Sequence, residues 1–365
     1  MTPTLYDSFA GPGRWRRSGF TLIEIMASIA VLSLLTVLLA QSINGTSHSI
    51  QDNRWRIDAD QEARTVFDRI GGDLAAMPRE AGLDFIFSKH EGNDKLFFYS
   101  EVAGSFNTTG TQSLQSRSPF SLVGYRTGTS ANGSYPILQR IAKGLAWDGS
   151  TDGAPMTFLT CSGTAFTPLA ASTLAGAWSS VVGTAPDYEG TDTDFSLLSE
   201  WVYRFEFCYL LKDGTFSNKP VLASASGTHN LMATQAPTSS DDATRNYAPG
   251  SRWYDTAAQR GYLCVRADTG AAVWRPLGLQ DVSSVVVAIA VLDPSARKSG
   301  ADLSKAIGAF EDPTDEELAA TPPKLMAAKW DEARNLSSFA KTADLNANAA
   351  SRVYIYQRYL NLTSQ

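Results

Sequence analysis

From Phe20 to Ala40 every residue is apolar or a small hydroxyl residue except one, Glu24. As a helix rising 1.5 Å per residue, that run covers about 30 Å, roughly the thickness of one bilayer core. A carboxylate inside that thickness costs about 2.5–3.5 kcal/mol on insertion scales, so Glu24 requires a partner. The chain must therefore accommodate a membrane-length apolar helix with one charge near its head.

The flanks set the orientation. Arg14, Arg16 and Arg17 precede the run and the next basic residue after it is Arg54. The positive-inside rule then keeps the N-terminus cytoplasmic and sends everything after Ala40 to the periplasm or the exterior. A secretory signal cut after Leu38-Leu39-Ala40 is one reading, but its apolar core exceeds the roughly 7–15 residues such signals use. An uncleaved anchor fits the length. Neither explains Glu24.

Arg16-Arg17-Ser18-Gly19-Phe20-Thr21-Leu22-Ile23-Glu24, followed by the apolar run, resembles the prepilin family, the type IV pilins and the pseudopilins of type II secretion and DNA-uptake machines. The resemblance covers about the first tenth of the chain. It implies cleavage by a prepilin peptidase between Gly19 and Phe20, N-methylation of Phe20, and a role in assembly for Glu24, fifth from the new N-terminus. There the carboxylate pairs with the ammonium of a neighbouring subunit, each charge offsetting the desolvation of the other. Implied partners are the peptidase, other pilin-like subunits, the inner-membrane assembly machinery and the membrane itself. The implied location is the inner membrane, crossed once, with the head in the periplasm or an extracellular filament. Two further segments, residues 69–78 and the apolar stretch running into Asp293-Pro294, faintly resemble the prepilin-like group named Verru_Chthon cassette protein C. That group implies an accessory pilin-like protein with no known chemistry.

Charge and composition narrow the classes further. The net charge is −6 over 365 residues, and removing 1–19 takes away three arginines and Asp7, a net +2, which leaves −8. An acidic mature surface argues against general nucleic-acid binding. Only 19% of residues are charged, below the usual quarter, as in exported surface proteins.

Apolar residues continue at spacings near three and four through Ile50, Ile57, Ala63, Val66, Phe67, Ile70, Leu74 and Met77, with acidic and basic residues between them. This predicts one long helix over 20–77, membrane-spanning over 20–40, loosened near Gly45 and Gly71, and ended by Pro78. Beyond it the pattern changes to strands, predicted at 84–87 and 95–99 as a hairpin, then at 121–125, 137–141, 157–161, 201–211, 262–265, 285–292 and 352–356. Residues 285–292 are apolar throughout, as in a central strand covered on both faces. The alternating aromatics of 201–207 predict one buried and one partly wet face. Long Ser-, Thr-, Gly- and Pro-rich connections at 103–117, 162–186 and 223–252 separate the strands. Two short helices are expected between 301 and 339. The expected fold class is α+β, with a long N-terminal helix packed on a mainly antiparallel β head. The expected organisation is a leader over 1–19, the helix over 20–77, and one decorated head over 78–365.

Candidate chemistry is sparse. No nucleotide loop, zinc-protease motif or nucleophile elbow is present, and His48, His90 and His229 are scattered. No cofactor and no enzymatic activity are expected. Cys161, Cys208 and Cys264 are too few for a zinc pattern. In an oxidising compartment Cys208 and Cys264 are the preferred bridge, with three buried thiols as the alternative. Asp187, Glu189, Asp192 and Asp194 read first as a solvated acidic loop and second as a calcium site. The leading function is a structural minor pilin or pseudopilin. The alternative is a membrane-tethered extracytoplasmic binding module or enzyme, favoured by the size of the head and its loops.

Overall fold

A computed structural model describes residues 19–78, 85–105, 117–129, 136–144, 157–162, 165–170, 195–223, 227–293 and 303–362. Helix α1, Leu22–Ala75, runs unbroken through Gly45 and through Gly71-Gly72. The chain divides into two compact units, Met1–Arg54 and Trp55–Gln365.

The first unit is apolar helix. Its segment Leu22–Ile43 is long and apolar enough to cross a membrane, and none of it is buried. Hydroxyl residues enter it at little cost because they bond back to their own helix. Ser28 Oγ donates to the Glu24 carbonyl at 2.7 Å, and Thr36 Oγ1 donates to the Leu32 carbonyl at 2.7 Å.

The second unit contains about the last six turns of α1 and the head. Here Ala59, Ala63, Val66, Phe67, Ile70 and Leu74 form a buried stripe, the width expected of a helix lying on a core. Ile57 belongs to the predicted pattern but is 62% exposed. Gly71 does not loosen the helix. A Cβ there would lie 3.3 Å from Leu360 Cδ2, so the missing side chain admits a close approach by the last strand. Pro78 follows the final turn, and Glu101 N–H caps the Ala76 carbonyl at 2.8 Å.

Three sheets and a separate hairpin make up the described β structure. The largest contains β1 (Phe85–Ser88), β2 (Lys95–Ser100), β5 (Ser121–Thr129) and β6 (Pro136–Gly144), which are antiparallel neighbours. The short strands β3 (Gly104–Ser105), β4 (Arg117–Ser118) and β9 (Ser196–Ser199) complete it. The hairpin is β7 (Thr157–Ser162) with β8 (Ala165–Ala170). The central sheet has the order β11 (Phe216–Ser217), β10 (Val202–Leu211), β16 (Val282–Leu292) and β17 (Val353–Asn361), all antiparallel. A smaller sheet orders β12 (Asn230–Ala233), β13 (Arg252–Asp255), β14 (Arg260–Arg266) and β15 (Val273–Pro276).

The expected central strand is β16, and both of its faces are covered. Val285, Val287, Ile289 and Val291 join the core that includes the α1 stripe, Phe205 and Phe207. Val286, Ala288, Ala290 and Leu292 join a second core with Phe310, Trp330 and Phe339. That second core is roofed by α2 (Leu303–Gly308), α3 (Asp315–Ala319), α4 (Met326–Arg334), α5 (Phe339–Thr342) and α6 (Ala347–Ser351). Within 301–339, where two helices were expected, α2, α3 and α4 are separated by Pro313 and Pro322-Pro323, and α5 and α6 lie at and beyond the end of that range.

The expected wet face of β10 is a correction. Arg204 and Glu206 are fully buried beneath the helical roof. Their charges are met inside the protein rather than by water.

Candidate functional site

The N-terminal site is built on the first turn of α1. Thr21 precedes the helix and Glu24 lies three residues on, the Thr-x-x-Glu spacing of a capping box. Glu24 Oε2 accepts from Thr21 N–H at 2.8 Å and from Thr21 Oγ1 at 3.0 Å, while Glu24 N–H reaches Thr21 Oγ1 at 3.3 Å. The same box recurs in the head at α3. There Thr314 N–H donates to Glu317 Oε2 at 2.9 Å and Glu317 N–H donates to Thr314 Oγ1 at 3.2 Å. Glu24 thus has a local partner that the sequence argument overlooked, although the spacing was visible. A carboxylate in the first turn also faces the positive end of the helix dipole. Phe20, just outside the helix, is 84% exposed. Gly19 has open space around its α-carbon. The basic residues Arg14, Arg16 and Arg17 lie outside the described residues.

Residues 16–40 match the prokaryotic N-terminal methylation motif. No curated protein matches the chain. Among solved structures, the type IV-like pilin TTHA1219 from Thermus thermophilus aligns over 84% of this chain and 94% of its own at 11% identity. Its TM-score of 0.26 is too low for any argument to rest on it. The methylation motif heads an exposed apolar helix, and an antiparallel head follows it, an arrangement consistent with a pilin-like protein. Over those residues the chain is similar to the prepilins and pseudopilins; the match does not extend into the head.

The other candidate residues are not brought together. Cys208 and Cys264 are free and buried, the first on central strand β10 and the second on β14 of a different sheet. The predicted bridge between them is not made. Burial pushes the Cys208 thiol up to about 12, which keeps it protonated and inert. The Cys161 side chain and the acidic set Asp187, Glu189, Asp192 and Asp194 lie outside the described residues. His90 Nε2 is 2.7 Å from Ser88 Oγ, and His229 Nδ1 accepts from Arg252 N–H at 2.9 Å. Among the described residues no group of three His, Cys, Asp or Glu is placed to hold a metal ion.

Two buried polar clusters in the head were missed. Asp73, near the end of α1, accepts from Arg140 Nε at 2.6 Å and from the Tyr125 hydroxyl, which ties the helix to β5 and β6. Burial and the adjacent Asp73 carboxylate raise the Tyr125 pKa. The second cluster gathers at Lys89, just after β1. Its Nζ lies 2.5 Å from Asp94 Oδ2 and 2.9 Å from Glu206 Oε2, and it donates to the Phe207 carbonyl at 2.6 Å. Arg204 Nη1 lies 2.8 Å from Glu206 Oε1, and its Nη2 donates to Asp312 Oδ1 at 2.5 Å. The Arg204–Glu206 contact is an ion pair by distance, with an angle that leaves both atoms without a hydrogen bond. The only sequence signal was an Arg and a Glu two positions apart in an otherwise apolar, aromatic strand.

Proposed function

We propose that this chain is a minor pilin or pseudopilin, cut between Gly19 and Phe20, N-methylated on Phe20, and packed through its apolar helix into a pilus or a secretion-type filament. The supporting observation is the exposure of Leu22–Ile43, a membrane-length apolar helix with no partner among the described residues. In the inner membrane lipid covers it, and in a filament the equivalent helices of other subunits do. The head, 78–365, faces the periplasm or the exterior, consistent with the arginines before the span. Before assembly Thr21 satisfies the Glu24 carboxylate; on assembly the ammonium of a neighbouring Phe20 supplies the opposite charge.

Glutamine at position 24 separates these two roles, because Gln also serves in a capping box but carries no charge. Glu24→Gln and Glu24→Ala chains are both expected to be cleaved normally and both to be missing from sheared or cross-linked filament fractions. A Glu24→Gln chain that assembles like the native one would refute the charge pairing and leave only the cap. N-terminal sequencing of the membrane-extracted protein should begin at methylated Phe20. A start at Gln41, Met1 or Thr2 would overturn the processing itself.

A further inference from the structure

The Lys89 cluster is chemically unusual for a protein interior. It places two cations, Lys89 and Arg204, among three carboxylates, Asp94, Glu206 and Asp312. Asp94 and Glu206 are completely buried. The ring of Phe207 lies 4.7 Å from Lys89 Nζ, and Phe87 packs edge-on against it with centroids 5.7 Å apart. Ions in such surroundings are costly even when paired, since desolvation competes with their attraction. A neutral product formed from one cation and one anion removes that cost.

Three features go beyond charge pairing. Lys89 Nζ sits against a carboxyl group of each of two different residues, one a potential electrophile and the other a potential proton carrier. Asp94 also has a backbone donor on each oxygen, His90 N–H on Oδ1 at 3.0 Å and Phe207 N–H on Oδ2 at 3.0 Å. Donors placed in this way stabilise negative charge developing on a carboxyl oxygen under attack. Finally, the amine and the carboxyl are held in contact by the β1–β2 turn, so the reaction is intramolecular and benefits from effective concentration.

We propose that Lys89 and Asp94 condense spontaneously to an isopeptide bond across the turn between β1 and β2, with Glu206 as the proton carrier. Lys89 Nζ first passes one proton to Asp94, giving a neutral amine beside a neutral acid. The amine nitrogen then bonds to Asp94 Cγ. Protonated Glu206 gives its proton to the departing hydroxyl and takes one from the nitrogen, so it ends as it began. One C–N bond forms, one C–O bond breaks, and one water leaves. Nothing is oxidised or reduced. Burial and the nearby Asp94 carboxylate raise the Glu206 pKa well above the usual carboxylate range, which suits the protonated form the step needs. Burial also opposes the charge on Lys89, but the Asp94, Glu206 and Asp312 carboxylates raise its pKa overall, so the proton transfer from Lys89 to Asp94 is the uphill part of the step. The product is a side-chain amide in a site that excludes the water needed to reverse it.

Tryptic mapping of the full chain, extracted from membranes and fully denatured, decides the matter without reference to N-terminal processing. An amide on Lys89 blocks cleavage there. The expected result is one peptide spanning residues 80–95, lighter than its sequence by one water. Lys89→Arg, which keeps the charge but has no amine, and Glu206→Gln are both expected to abolish the water loss. Separate unmodified peptides 80–89 and 90–95 from the native chain would overturn the proposal even if both variants misfold. An amide between Lys89 and Glu206 would overturn the assignment of Asp94 as the electrophile.

Discussion

Two stretches of the same helix use apolar residues in different ways. Over Leu22–Ile43 the apolar residues are spread around the whole helix and none is buried. Over 55–75 most of them, though not Ile57, lie in a stripe, and that stripe is buried in the head core. The second pattern specifies a partner within the chain, because only one face needs covering. The first specifies an environment, lipid or many neighbouring helices, because every face does. Charge follows the same division. In the second unit three acidic residues of α1 are matched to head residues: Asp73 to Arg140 and Tyr125, Asp60 to the Tyr356 hydroxyl at 2.6 Å, Asp68 to Arg358. In the first stretch the single acid is matched only to its own helix start.

The contrast is tested most severely at Asp73. Truncation to Ala leaves Arg140 buried beside Tyr125 without its carboxylate, and breaking such a pair costs about 3–5 kcal/mol. Denaturant unfolding of the full chain in detergent, followed by head tryptophan fluorescence, should show a loss of that size. A loss under about 1 kcal/mol would mean that Asp73 does not hold the helix to the sheet. A paired substitution gives the next largest effect. Ile70→Ala should cost about 2–5 kcal/mol by leaving a cavity, whereas Leu35→Ala should leave head stability within about 0.5 kcal/mol. Equal losses would erase the distinction between the two stretches.

The smallest effect is a slope with pH. Glu206 has a raised pKa in the folded head, so the folded state holds a proton that the unfolded chain releases above about pH 4.3. The stability tied to that proton is present below that pH and is lost as pH rises through the folded value. Melting temperatures should therefore decline over this window in the native chain and decline less in Glu206→Gln. Parallel curves would show that Glu206 titrates normally.

Much of this architecture was legible where a pattern ran long enough to repeat. The eleven-residue β16 announced itself by the unbroken apolar run of its last eight residues, and the β1–β2 hairpin by two aromatic runs around a polar turn. The short strands β3, β11 and β12 have no room for periodicity and fell inside predicted loops or went unnoticed. Arg204 and Glu206 were misjudged for a different reason. Alternation reveals that a strand has two faces, but not that α2 to α6, assembled from the last sixth of the chain, cover the second one. The partner that makes Glu206 tolerable, Lys89, is 117 positions away in sequence. At the N-terminus the methylation motif was readable because its residues are contiguous, and the Thr21–Glu24 cap was readable for the same reason yet passed over.

Strand β16 is a party wall. Its two rows of side chains belong to two different interiors, so neither the side facing α1 nor the side under the small helices can come apart without stripping that strand. A head built in this way has no half that opens alone, and its slowest-exchanging amides belong on the wall itself.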